Sequence, residues 1–304
     1  MTHGDTHSHT HASQQSHGHS HGKPNNIRLA FFLNLAFTIL EIIGGLLTNS
    51  VAIISDAIHD LGDSLSLGLA WFLENYAGRE SDTKYSYGYR RFSLLGALIN
   101  SSVLLVGSAL ILSRSVPRLF APEPTDETGM LVLAVIGIVV NGIGMIRLRG
   151  DSSMNARVIG LHLLEDVLGW VAVLIVSIVL FFTDLYILDP LLSILITAWI
   201  VFNVVRNLRE TLSVFLQRVP RDMDLADIID RIRQVENVVD THHTHIWSLD
   251  GEHHVLSTHI IVAPETTRQQ VICVKGDIKT VLEEFHLDHL TLDIEYGDAD
   301  CAMD

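Results

Sequence analysis

The sequence predicts an all-α membrane domain of six transmembrane helices followed by a small cytosolic α/β domain. Three observations lead there. Hydrophobic residues make up 48% of the 304-residue chain and charged residues only 18%, against about 25% in a typical soluble domain. Six apolar runs approach the roughly 20 residues that a bilayer core demands of a helix. The net charge of −15 is unevenly placed: from Arg221 onward, 18 Asp and Glu stand against 6 Lys and Arg, a balance of −12. An acidic, solvated tail of this kind favours cations. It argues against nucleic acid as a partner, because nucleic acid wants a basic face.

The six runs are Ile27–Leu47, Val51–Leu73, Phe92–Leu112, Met130–Ile146, Val158–Phe182 and Ile187–Val205, the fourth being the shortest. Basic residues mark the cytoplasmic side of short loops. One side collects Lys23 and Arg28, then Arg79, Lys84, Arg90 and Arg91, then Arg147, Arg149 and Arg157, then Arg206, Arg209, Arg218 and Arg221. The other side has Arg114 and Arg118. Both termini are therefore expected in the cytoplasm, as an even number of spans requires. Residues 1–26 lack the pattern of a signal peptide. They hold seven spaced histidines, His3, His7, His9, His11, His17, His19 and His21, without apolar periodicity. Such a tract is expected to be disordered and to bind metal weakly.

After Val219-Pro220 the pattern changes. Leu225–Val235 reads as an amphipathic helix, Val238–Trp247 and His254–Val262 as strands around the turn Asp250-Gly251, and Thr266–Glu284 as a second helix. Leu290, Leu292 and Ile294 alternate with Thr291, Asp293 and Glu295, a half-buried strand. The order αββαβ suits a small α/β sandwich. Cys273 and Cys301 make neither a disulfide framework nor a zinc ribbon. The expected division is 1–26 as tail, 27–213 as membrane domain and 214–304 as cytosolic domain.

The second run contains "SDAIHDLGDS", residues 55–64, with Asp56, His59, Asp60 and Asp63 inside an apolar helix. Each Asp at mid-membrane costs about 2.5–3.5 kcal/mol on insertion scales. His59 and Asp63 are four apart and share a helix face, and Asp56 joins that face. The fifth run repeats the pair: in "GLHLLEDVLGW", His162 and Asp166 are again four apart, with Glu165 beside them. Two imidazoles and two carboxylates converging from two helices make a tetrahedral nitrogen and oxygen site that suits Zn²⁺. Two carboxylates also balance a dication. The blander reading is that a membrane histidine hydrogen-bonds a carbonyl and the aspartates glue helices together; the repetition of the pair weighs against it. Asp60 lies about 100° around the helix from His59 and is left out of the ligand set. Asp56 and Glu165 are candidates for the outer shell or a proton relay. Glu41 and Asn141 read as packing or pore wall.

These residues carry a family resemblance. "SVAIISDAIHDLGDSLSLG", "YSYGYRRFSLLGALINS", "PRLFAPEP", "HLLEDVLGWVAVLI", "LDPLLSILIT" and "VVDTHHTHIWSLDGEHHVLSTHIIV" together resemble the cation diffusion facilitators, membrane zinc exporters, and their cobalt–zinc–cadmium resistance branch in particular. The resemblance implies a transport site at His59, Asp63, His162 and Asp166. It implies a ferredoxin-like, dimerising cytosolic domain and a homodimer in a bacterial inner membrane. It implies efflux of Zn²⁺, with Cd²⁺ or Co²⁺, against protons, with no enzymatic activity and no permanent cofactor. Zn²⁺ is also expected as a regulatory ligand. A second metal site between cytosolic domains would fall on His242, His259, Asp293 and Glu295, with His243, His245, His253, His254, His286 and His289 unranked. The loop site of some relatives is not expected here, where Tyr85 and Tyr89 stand beside Asp82. Two other classes remain in view. An intramembrane metalloprotease would want H-E-x-x-H, which "HLLED" lacks. A metal-sensing or metal-storage membrane protein would fit the histidine tract and acidic tail equally well.

Overall fold

Six long helices come first in the computed structural model, which describes residues 24–77, 81–148 and 154–297. They are α1 (Pro24–Thr48), α2 (Val51–Ala77), α3 (Phe92–Phe120), α4 (Glu127–Leu148), α5 (Met154–Phe182) and α6 (Leu188–Phe215). Each contains or nearly matches the apolar run expected of it. α3 and α6 run several residues further, α3 through Pro117 within its last turn. Among the described residues, five of the six are long and apolar enough to cross a membrane. α2 is the exception, because Asp56, Asp60 and Asp63 sit in its middle. The seven N-terminal histidines lie outside the described residues.

α2 is nevertheless the helix around which the others gather, packing on α1, α3 and α6, while α4 and α5 form a second close pair. Small residues set the approach between helices, as in other membrane bundles. A Cβ on Gly62 would lie 2.5 Å from Leu104 of α3, and one on Gly107 of α3 would lie 2.7 Å from Ile58 of α2. Behind α2, Trp170 of α5 is buried with Ile53 and Met130, and its ring fills the space that a side chain at Gly137 would need.

The start of α2 is fixed from the far end of the chain. Asp189, in the first turn of α6, is fully buried. Its carboxylate accepts hydrogen bonds from Ser50 Oγ at 2.5 Å, Val51 N at 2.9 Å and Ala52 N at 3.3 Å. The first N–H groups of a helix have no partner of their own, and their partial positive charge favours an anion. Asp189 therefore caps α2 together with the local Ser50, whose hydroxyl oxygen accepts from Ile53 N at 3.2 Å. One turn on, Ser193 continues the link, its hydroxyl 2.5 Å from Ser55 of α2 and 2.7 Å from Ser115 of α3.

The chain then forms α7 (Leu225–Arg233), β1 (Val238–Ser248), β2 (His254–Val262), α8 (Arg268–Val281), a 3₁₀ turn and β3 (Leu287–Tyr296). β1 and β2 form an antiparallel hairpin, and β3 lies parallel to β2 on its other edge, so β2 is central. The parallel pair requires a crossover, which α8 supplies. α8 opens on a capping box of Thr267 and Gln270. Ile228 and Ile232 of α7, Val274 and Ile278 of α8, and Leu256 and Ile260 of β2 make the core. β3 starts three residues earlier than the alternation from Leu290 suggested, because β2 still offers a pairing edge at His254 and Val255. In the hairpin turn Asp250 is half-buried. Burial alone would raise its pKa, but N–H groups of Glu252 and His253 and the His253 ring hold the carboxyl below its ordinary value. The loop after α2 rests on this domain: Arg90 reaches Asp288 at 2.6 Å, and Tyr87 packs edge-on against His289.

Asp189→Ala strands a buried hydroxyl and two helix-terminal N–H groups, each worth about 1–3 kcal/mol when left unpaired. The purified variant is expected to melt below the wild type in detergent, with Asp189→Asn between them because the amide keeps an acceptor. Identical melting of all three proteins would remove the clamp from the account.

Candidate metal centres

In α2 the apolar residues Ile53, Ala57 and Ile58 pack against neighbours, which leaves the polar stripe for the inside of the bundle. His59 Nε2 and Asp63 Oδ2 are 3.8 Å apart, one turn from each other. Both atoms are shut off from solvent, as is Oδ1 of Asp166 on α5. Asp56 is buried one turn before His59, facing α5: a Cβ on Gly169 would meet Asp56 Oδ1 at 3.4 Å. His162 lies in α5 one turn before Asp166, and its side chain is outside the described residues. A cavity of about 500 Å³ opens between α2, α5 and α6, and Asp56, His59, Glu165 and Asp166 line its polar side. Leu195, Trp199 and Ile200 of α6 close the opposite side. All four residues expected to hold a metal are thus on helices bordering one space, with His59 and Asp166 on its wall.

The supporting residues separate. Asp56 lines the cavity. Glu165 lines it too, and its carboxylate accepts a hydrogen bond from the Trp199 indole across the gap to α6. Asp60 is buried but is absent from the cavity wall, and faces α1 instead. There its neighbour is Glu41, fully buried, an interaction between like carboxyls that the reading of Glu41 as packing did not foresee.

A second group of ligand atoms lies in the sheet. His242 on β1 and His259 on β2 are directly paired in the ladder. Glu295, at the end of β3, meets both: His259 Nδ1 is 2.7 Å from Oε1 and His242 Nε2 is 2.9 Å from Oε2. One ligand atom from each residue lies within 4.8 Å of the others. Asp293 pairs with His259 along the backbone yet is exposed and stands outside this group, because β3 is an edge strand and the Asp293 side chain is left to solvent.

His243 packs its ring against the two imidazoles. Between His242 and His245 the register of β1 slips, a bulge that places one extra residue opposite β2, and His243 takes φ 45° there. Successive residues of a regular strand point to opposite faces. The bulge cancels that alternation. The rings of His242, His243 and His259 lie 5.0–5.3 Å from one another, centroid to centroid. Beneath them Thr258 binds both Thr241 and Thr244, at 2.6 and 2.7 Å, and so pins both sides of the bulge. The doubled histidine at 242–243 was visible in the sequence, but nothing there marked the slip that brings both rings to one side.

The loop after α2 is closed by other means. Tyr89 donates its hydroxyl to Asp82 at 2.7 Å, and the rings of Tyr85, Tyr89 and Phe92 pack together in tilted and edge-on contacts.

Comparison with known proteins agrees with this layout. Residues 27–216 match the family model of the cation efflux transmembrane domain, and residues 220–296 match that of the cation efflux protein cytoplasmic domain. The metal cation efflux system protein CzcD of Cupriavidus metallidurans is 33% identical over 284 residues, covering 92% of this chain and 89% of its own. The cadmium, cobalt and zinc/H⁺-K⁺ antiporter of Bacillus subtilis is 31% identical over 271 residues, 88% of this chain and 87% of its own. The zinc transporter ZitB of Yersinia pseudotuberculosis is 31% identical over 285 residues, 90% and 89% of the two chains. With both halves matched in order over nearly the whole of the described fold, the chain belongs to the cation efflux family of membrane transporters.

Proposed function

We propose that this protein is a secondary active exporter that moves Zn²⁺, with Cd²⁺ and Co²⁺ as further cargo, out of the cytoplasm in exchange for protons. The observation that carries this reading is the cavity in which His59 of α2 and Asp166 of α5 face one space inside the apolar bundle. His59, Asp63, His162 and Asp166 are the ligands in this reading, and Asp56 supports them. Imidazole and carboxylate together favour a borderline ion over Mg²⁺, which prefers oxygen alone. An unperturbed imidazole titrates near pH 6.5, so metal and proton compete for the same nitrogens around neutrality. Sparse packing between α2 and α5 supports alternating access, since a site between loosely joined helices can open to either side as they rock.

The same reading takes α2 as a sixth span, held between five apolar helices and capped by Asp189. It divides the chain into a tail (1–26), a transport domain (27–213) and a cytosolic domain (214–304) of ferredoxin-like form. It places both termini in the cytoplasm of a bacterium, the transport domain in the inner membrane, and two copies of the chain together through their cytosolic domains. His242, His259 and Glu295 are proposed to bind a regulatory Zn²⁺, with His243 as the nearest fourth donor. Storage or sensing of metal without transport is the alternative, favoured by the sheet cluster. It does not account for ionisable groups buried in the membrane helices, whose usual role is an ion pathway.

Asp63→Ala and Asp166→Ala each remove one ligand and one charge. Reconstituted into vesicles, both variants are expected to lose metal uptake almost completely, a fall of 10- to 100-fold or more. Near-normal uptake by either would sink the assignment. His59→Asp keeps a ligand at the same helical position but replaces nitrogen with oxygen. Competitive uptake is expected to shift toward Mn²⁺ relative to Zn²⁺, and unchanged selectivity would mean that His59 is not a ligand. Glu295→Ala should lower the zinc bound per chain by one, with transport at saturating zinc kept; unaltered stoichiometry would disprove the sheet site.

A further inference from the structure

The membrane domain holds more carboxyls than its cargo neutralises. A divalent ion is balanced by Asp63 and Asp166, which leaves Asp56, Asp60 and Glu41 buried in the same region. Glu41 is the extreme case. It has no exposed surface, and the polar group its carboxyl meets is another carboxyl, that of Asp60.

Its placement is set by α1. Asn34, Thr38 and Glu41 follow one another at helical spacing along one face. Asn34 Nδ2 donates to the Asp60 carbonyl at 3.1 Å and to Ser64 Oγ at 3.0 Å, and Thr38 Oγ1 lies 3.5 Å from the same Ser64 hydroxyl. That face is therefore the seam with α2, and Glu41 is its next residue. The charged groups acting on Glu41 are Asp60 and Asp56 from α2 and Asp166 from α5. α4, the other helix packed on α1, has its charged residues, Glu127 and Arg147, only at its two ends. Among the described residues no cation faces Glu41. The cavity wall includes Asp56 and His59 but neither Asp60 nor Glu41, so Glu41 sits behind the metal path rather than on it.

A buried carboxyl surrounded by carboxyls needs a counter-ion, and at a position without open space the one that fits is a proton. We propose that Glu41 carries the counter-transported proton: it holds H⁺ while the metal site is empty and releases it when a divalent cation arrives between α2 and α5. This rests on the exchange reading above. Two positive charges entering beside Asp166 reverse the local field, and in a low-dielectric interior that change reaches Glu41 without contact. The O–H bond of the Glu41 carboxyl breaks, the electron pair stays on the carboxylate, and the proton passes to the neighbouring Asp60 carboxylate and on through Asp56, which lines the cavity, to solvent. On the outer side the metal departs and the carboxylate takes a proton back.

The test is the number of protons released when Zn²⁺ is added to the purified full-length protein in weak buffer, read with a pH dye, with zinc stoichiometry measured by calorimetry. Glu41→Gln is expected to bind zinc with unchanged stoichiometry, to release one proton fewer per transported metal, and to lose the response of uptake to an imposed pH gradient. Glu41→Asp should release the wild-type number. Equal release by Glu41→Gln and wild type overturns the proposal. Loss of zinc binding by both variants also overturns it, since Glu41 then serves the fold or the metal. So does a variant that keeps its protons but loses a dependence on K⁺ seen in the wild type, which would make Glu41 part of a potassium site. Failure of the wild type to release any proton would instead refute the exchange reading itself.

Discussion

The structure depends on how ionisable groups are kept inside an apolar bundle. α2 carries three aspartates and a histidine where a membrane helix should carry none, and by composition alone it is the one long helix too polar to cross. Its acids can stay only if the surrounding helices supply partners or an ion. The contacts the neighbours make are to the backbone and hydroxyls of α2: Asn34 and Thr38 of α1 reach Ser64, Asp189 and Ser193 of α6 reach Val51 and Ser55, and Asp166 of α5 lies on the wall of the same cavity as Asp56 and His59. Each neighbour of α2 is thus selected by a polar contact as well as by packing, and the small residues at Gly62 and Gly107 let those contacts close.

The division of labour within α2 follows from its helical period. Asp56, His59 and Asp63 fall on one stripe and turn toward the cavity or each other. Asp60 falls about 100° away and turns to α1. One helix therefore separates a cavity-facing side from a side that meets Glu41. In the cytosolic domain a related economy appears at the bulge of β1, where one extra residue puts His243 beside His242 and His259 around Glu295. The strained φ of His243 costs stability locally, and such outliers persist where the surrounding contacts, here the three threonines, hold them in place.

Much of this was legible in the sequence. Six runs of membrane length, the repeated His-x-x-x-Asp pair and the αββαβ order of the tail are periodic signals, and periodic signals survive in a single chain. The remainder depended on contacts between distant residues. Asp189 and the start of α2 are 138 residues apart, so no local pattern could show that α6 caps α2. Glu41 looked like an isolated polar residue until α1 was laid against α2. The bulge at His243 depends on the pairing of two strands, and the family resemblance had pointed to Asp293, which is exposed, while leaving His243 unranked. Local periodicity marked the elements, and long-range contacts, which it does not encode, set the neighbours of Asp189, Glu41 and His243.

Everted membrane vesicles test the central claim most directly, with an inward-acid pH gradient as the only driving force. The account predicts that Zn²⁺ accumulates inside against its own gradient, far beyond the amount the protein can bind, and that collapsing the pH gradient stops further accumulation. Zinc that associates only in proportion to the protein present, with no response to the gradient, would contradict it and leave a membrane protein that holds metal without moving it.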